Sequence, residues 1–214
     1  VLRKVSLQVF MTDYFQTLGL PRLPWLETEA INKQYLELSR LWHPDKFHTA
    51  EESEKQKAEE KYSEINQANQ IISNHSSRIR HLLTLESNSP PSVVEQLPNE
   101  VMDLFMSVEK ILKQFEGCIK EKESLTNPIL KMGVVKRAMD LSDLAQSVLD
   151  NLSHYQSKLM TDLKALSAKW DQKNPSELLD SLEGIYRSLT HIEKWIQKLN
   201  EKKSVSSWQI DGIS

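Results

Sequence analysis

The residues best able to do chemistry are His43, Pro44 and Asp45, an imidazole and a carboxylate on either side of a proline. Pro44 disfavours helical angles at His43 and has no amide hydrogen to donate, so a helix must stop here. The tripeptide is therefore expected on an exposed, rigid turn that presents both polar groups to solvent. A catalytic use would need further groups, and the chain supplies none in a recognisable pattern. Cys118 has no evident base beside it, the His residues are scattered, and no Gly-rich phosphate loop is present. His191 lacks the second His, Cys or carboxylate pair that a metal site requires. Recognition, not catalysis, is the chemistry this turn suits.

Two helices must hold the turn. Upstream, Ile31, Tyr35, Leu38 and Trp42 recur at spacings of four, three and four, the period of a helix with one buried face. Downstream, Thr49 followed by Glu52 reads as a capping box that opens a helix through Ala58, Tyr62, Ile65 and Ile72. The tripeptide thus caps a helical hairpin. A short helix from Tyr14 to Leu20, closed by Gly19, precedes it. A loop bracketed by Pro21 and Pro24 follows, with Trp25 and Leu26 read as pinned to the core. The expected helices run from about Thr28 to Trp42, Ala50 to Ser73 and Ser77 to Glu86.

This stretch resembles the J-domain, the module that recruits DnaK-type chaperones and stimulates their ATP hydrolysis. The resemblance rests on Asp13-Tyr14-Phe15, Leu18-Gly19-Leu20, His43-Pro44-Asp45 and Ile65-Asn66-Gln67-Ala68. Phe47 after Lys46, with Arg78 and Leu82-Leu83-Thr84-Leu85, looks like the HscB branch, co-chaperones of iron–sulfur cluster assembly. That resemblance implies that Asp45 engages an Arg and polar groups on an HscA-like chaperone. Pro44 would fix the turn and His43 would hold it by hydrogen bonding. Lys33, Arg40 and Lys46 are read either as a basic face toward that partner or as an ordinary solvated face, diluted by Glu37.

Composition agrees with an all-α protein. The chain has 214 residues, five Gly, one Cys and a formal net charge of -3. That length allows a sizeable core, near-neutral charge argues against a nucleic-acid partner, and no apolar run is long enough for a membrane span. A lone Cys fits a reducing compartment and excludes a cysteine-ligated zinc module. The expected location is the bacterial-type cytoplasm, or the mitochondrial matrix in a eukaryote. Residues 1–10 are too short for a secretory signal and are read as a disordered or non-native arm.

Ser87 to Ser92 is polar and Pro-rich, the best linker in the chain. The expected organisation is a J-domain over 11–86, a linker over 87–92, a helical bundle over 93–203 and a tail over 204–214. In the bundle, Val101, Phe105, Val108, Leu112, Phe115 and Ile119 form one seam. Asn127-Pro128 starts a long second helix toward Trp170, where Gly133 is a candidate break. Asn174-Pro175 starts a third, with its seam at Leu178, Leu182, Ile185, Leu189, Ile192, Ile196 and Leu199. The fold class is thus an N-terminal J-domain helical hairpin plus a C-terminal three-helix antiparallel bundle. The tail is read as frayed, with Trp208 able to dock.

By the HscB resemblance, the bundle would bind an IscU-type scaffold. Val101-Met102-Asp103, Phe105 and Glu109 match that family's first bundle helix, and Arg187 to Lys194 match its last, with His191 standing where relatives carry an aromatic. Phe105 lies on the seam and can serve as core, whereas Met102, Met106 and Glu109 share an adjacent face. Exposed Met pairs make adaptable binding surface. His191 and Trp195, four apart and read as off the seam, form a second candidate patch. No catalytic constellation is found, so no enzyme activity and no cofactor are expected, and a helical enzyme is kept only as a formal third class. A J-domain protein with another client, or a structural role for the long hairpin, is the alternative.

Overall fold

The apolar spacings translate into helices at almost every place they occur. The computed structural model describes residues 12–91, 99–170 and 175–204. Its helices are α1 (Tyr14–Thr17), α2 (Thr28–Leu41), α3 (Glu52–Ser73), α4 (His75–Ser87), α5 (Asn99–Ser124), α6 (Pro128–Trp170) and α7 (Leu179–Lys203). Short 3-10 turns lie at Pro44–Phe47 and Pro175–Glu177. No strand occurs among the described residues, and no helix there is long and apolar enough to cross a membrane. The arm at 1–11 and the tail at 205–214, Trp208 included, lie outside the described residues.

Packing divides the chain into two units, residues 1–92 with 163–183, and residues 93–162 with 184–214. In the first, Phe15, Leu18, Ile31, Ala58, Ile65, Ala68, Ile72, Ile79 and Leu82 are buried between α1, α2, α3 and α4. The end of α6 and the start of α7 join this unit, although the sequence reading assigns them to the bundle. Trp25 shows why. Its backbone N–H donates to Ser167 Oγ at 3.1 Å, and Lys164 Nζ lies 5.3 Å from the centre of its indole. Glu27 Oε1 accepts from both Trp25 Nε1 and Lys164 Nζ, each at 3.1 Å. These two donors hold the Glu27 carboxyl below its ordinary pKa, the indole bond contributing most.

Several boundaries differ from expectation, each for a local reason. Glu51 occupies the N-cap of α3 without a side-chain bond, so the Thr49–Glu52 capping box does not form. Helix α4 starts two residues early because Asn74 Oδ1 accepts the Ser77 N–H at 2.8 Å. Gly133 does not interrupt α6, which is helical throughout its 43 residues. The third bundle helix begins at Leu179, after the 3-10 turn, not directly at Pro175. Gly19 does close the first turn. It has φ +65°, a left-handed conformation that glycine adopts without strain.

In the second unit α6 pairs with α5 and α7. Val101, Val108, Leu112, Phe115, Val134, Ala138, Leu141, Ala145, Leu152, Leu189, Ile192 and Leu199 are buried there. Tyr186, Ser188 and Trp195 are buried as well. A helix that faces two neighbours buries a wider stripe than the narrow seam read from the sequence.

One consequence of the first core is a pH dependence of stability. His81 is buried, and its Nε2 accepts the Tyr14 N–H at 3.1 Å between the rings of Tyr14 and Phe15. Burial lowers its pKa, with Asp13 opposing and Arg22 assisting. His75 is lowered too, by burial first and by Arg78 second. As pH falls below the ordinary value near ~6.5, the unfolded chain takes up protons before the folded one does, so stability drops. Melting temperatures measured from pH 7.5 to 5 should decline, and His81→Gln, which keeps an acceptor for Tyr14, should flatten the decline. An unchanged slope would mean that His81 titrates equally in both states.

Candidate functional site

The turn at the hairpin tip is held by its own side chains. His43 is the N-cap of the Pro44–Phe47 turn, and its Nδ1 accepts the Asp45 N–H at 3.3 Å. That bond places the imidazole proton on Nε2. The ring stands edge-on to Tyr62 of α3, with centroids 5.4 Å apart. His48 Nδ1 donates to the Asp45 carbonyl at 2.7 Å. Trp42 and Phe47 stack at 6.0 Å across the base of the turn, which gives Phe47 a structural purpose. With its backbone fixed at both ends, Asp45 projects a carboxylate that is 89% exposed. Asp45 Oδ2 lies 3.5 Å from His43 Nδ1, an ion pair only when the imidazole is protonated.

The hairpin itself is tied by Tyr35, whose hydroxyl donates to Asn66 Oδ1 at 2.9 Å. Ile65 and Ala68 from the same Ile-Asn-Gln-Ala run are buried. Beside the turn, Leu36, Ser39, Arg40, His43, Asp45 and Lys46 line an open concavity of about 500 Å³. Arg40 and Lys46 therefore meet Asp45 at one surface. Lys33 is exposed on the same side of α2, seven residues before Arg40, but does not line the concavity. Leu36, half exposed, was not singled out by the sequence reading. Its signal was present, because a Leu between Lys33 and Arg40 lies off the buried period of α2.

On the bundle, Met102 is 44% exposed and Met106 63%, with Glu109 partly exposed on the same side of α5. Phe105 is half-buried, and its ring lies 5.7 Å from that of Trp195. His191 lies 5.7 Å from Trp195 on the other side. Trp195 is buried, so the indole belongs to the bundle's packing and the reading of it as an off-seam patch is corrected. His191 stays partly exposed, with its pKa lowered by burial and then by Lys194, which keeps it neutral near pH 7. The two candidate patches thus form one surface, in which Trp195 bridges Phe105 and His191 from beneath. Among the described residues no group of three or more His, Cys, Asp or Glu could hold a metal.

Comparison with known proteins places this geometry. The DnaJ domain family matches residues 13–81. A co-chaperone protein HscB homolog from Shewanella halifaxensis (strain HAW-EB4) is 28% identical over 154 residues, 72% of this chain and 78% of that one. The structure of chaperone HscB from Vibrio cholerae superposes with a TM-score of 0.61 at 22% identity, over 89% of this chain and 96% of that one. Human co-chaperone protein HscB gives 0.64 at 17% identity, over 90% and 83%. At such identities the two structures establish the fold.

Proposed function

We propose that this chain is an HscB-type J-domain co-chaperone of iron–sulfur cluster assembly, a reading supported by the DnaJ domain match and the HscB relative, and that it works on two partners at once. Through His43, Pro44 and Asp45 it raises ATP hydrolysis by a DnaK-type, HscA-like chaperone. Through its bundle it brings an IscU-type scaffold to that chaperone. The observation that carries this reading is the Asp45 carboxylate, exposed on a turn fastened by His43 and His48 within the stretch that matches the DnaJ domain. The chain does no hydrolysis itself. It offers a fixed anion to a cationic site on the chaperone, with Arg40, Lys46 and Lys33 meeting acidic surface around it. The half-exposed Leu36 adds apolar area at the centre of that contact. The bacterial cytoplasm or the mitochondrial matrix is the place of action that this function implies.

The scaffold would meet Met102, Phe105, Met106, Glu109 and His191. Weak hand-over complexes need modest interfaces, and two adaptable thioethers beside a carboxylate supply one. Ala replacement of Met102, Met106 and Glu109 together should weaken binding by about 2 kcal/mol, roughly 30-fold. The melting temperature should not move, because none of the three is buried. Calorimetric titration with an IscU-type scaffold is the measurement. Unaltered affinity would shift the client site to Phe105 and His191, and no binding by the parent chain would refute the client.

A further inference from the structure

Asp45 has two groups that compete for one ring atom. His43 Nδ1 accepts the Asp45 N–H at 3.3 Å, and Asp45 Oδ2 lies 3.5 Å from that same nitrogen. One nitrogen cannot serve both. A neutral imidazole with its proton on Nε2 offers Nδ1 as an acceptor, which suits the N–H and repels the carboxylate. An imidazolium carries hydrogen on both nitrogens, so Nδ1 releases the N–H and donates to the carboxylate instead. That bond is charge-assisted and is the stronger of the two. Histidine is the side chain whose charge ordinarily changes between about pH 5 and 8. The His43 side chain is 46% exposed, so solvent delivers the proton directly.

The surroundings confine the exchange to this atom. On α3, Tyr62 meets the ring edge-on at 5.4 Å between centroids, which keeps the imidazole seated while Nδ1 changes partner. Arg40 on α2 and Lys46 in the turn line the same concavity as His43, and both cations oppose a further positive charge there. The Asp45 carboxylate favours it. His48, the other histidine at the turn, bonds the Asp45 carbonyl through Nδ1 at 2.7 Å. It can donate there as a neutral ring or as an imidazolium, so its own protonation does not cost that bond. Trp42 and Phe47, stacked at the base of the turn, carry no charge and hold that base at either pH.

We propose that His43 is a proton-operated latch on the turn. Neutral, it fastens the Asp45 backbone and leaves the carboxylate free; protonated, it takes the carboxylate and frees the backbone N–H. The consequence for function rests on Asp45 as the chaperone contact. At low pH the anion offered to the partner is already paired and its backbone is loosened, so stimulation falls as pH falls.

The full chain is titrated from pH 7.5 to 5.5 by NMR, following the His43 ring nitrogens, the Asp45 amide and the Asp45 carboxyl carbon. The amide proton should move upfield as its hydrogen bond is lost, and the carboxyl carbon should respond, both at the His43 midpoint. Both movements should vanish in His43→Gln and persist in His48→Gln, which assigns them to one ring. Amides of Ile65 and Ala68, buried in α3, should stay in place, which separates the latch from a loss of stability. Single-turnover hydrolysis by a DnaK-type chaperone is then measured at the same pH values, with and without the chain. The stimulation factor should drop roughly threefold or more across the His43 midpoint. An Asp45 amide that ignores the His43 titration, or that moves equally in His43→Gln, overturns the proposal. So does stimulation that holds steady through the midpoint or falls at another pH. Absence of stimulation at every pH refutes the chaperone reading instead, while the amide and carboxyl shifts still decide the latch.

Discussion

Asp45→Asn is expected to leave the helical melt of the chain unchanged and to remove its stimulation of a DnaK-type ATPase. Folding should survive because the carboxylate has no structural duty. The turn is held by the Asp45 backbone, through His43 Nδ1 on its N–H and His48 on its carbonyl, and Asn keeps both. Function should not survive, because docking would strip water from a fully charged group that a neutral amide does not replace. Loss of one partner of a desolvated charge pair costs ~2–5 kcal/mol, at least thirty-fold in a binding-limited rate. Single-turnover hydrolysis by the chaperone, with and without excess co-chaperone, reads this directly. Normal stimulation by the mutant would end the reading of this turn as the chaperone contact. His43→Ala should differ in kind, since it frees the Asp45 N–H and the Tyr62 edge contact and so loosens the turn while retaining the carboxylate.

The same contrast explains what the sequence could reveal. The turn was legible because its cause is local. Pro44 ends a helix, His43 caps the next turn, and apolar spacings on either side fix the hairpin. The seams of α5 and α6 were legible for the same reason, as period is a property of consecutive residues. Contacts distant in sequence left no such signal. Nothing around Trp25 announces that its N–H will meet Ser167, 142 residues away, or that residues 163–183 will join the N-terminal unit. Trp195 lies outside the narrow stripe of Ile185, Leu189, Ile192 and Ile196 that the spacing marks, yet it is buried, because a helix packed against two neighbours buries more than that stripe. The two bundle patches were read as separate for want of the α5–α7 register, which the Phe105–Trp195 contact supplies. Thr49 and Glu52 had the spacing of a capping box without its geometry, since a motif states only which bonds are possible.

Arg78 is the residue whose importance was least visible, and its loss should have the largest effect on stability. Its side chain is fully buried, yet its resolved partners are not carboxylates. Nε donates to Pro24 O at 3.1 Å, Nη1 to Ile72 O at 2.6 Å and Nη2 to His75 Nδ1 at 2.7 Å. Burial lowers its pKa to about 10, so it remains a cation at neutral pH. Ile72 lies in the last turn of α3, where carbonyls have no partner within the helix, and the guanidinium caps one of them. With Pro24 it also secures the loop that carries Trp25, whose ring stacks on His75 at 5.4 Å. Arg78→Ala orphans two buried carbonyls at ~1–3 kcal/mol each and empties the space of a long stem, a total loss of ~3–5 kcal/mol. That is a large share of the ~5–15 kcal/mol that holds a typical domain together. Arg78→Lys should recover only part, because one ammonium cannot span three acceptors fixed by a planar fork. Urea unfolding followed by circular dichroism measures both variants, and amide exchange at Trp25 reports whether the loop loosens with them. A loss below ~1 kcal/mol for Arg78→Ala would show that water replaces the guanidinium at Pro24 and Ile72, and the loop would then owe its position to Ser167 and Lys164 alone.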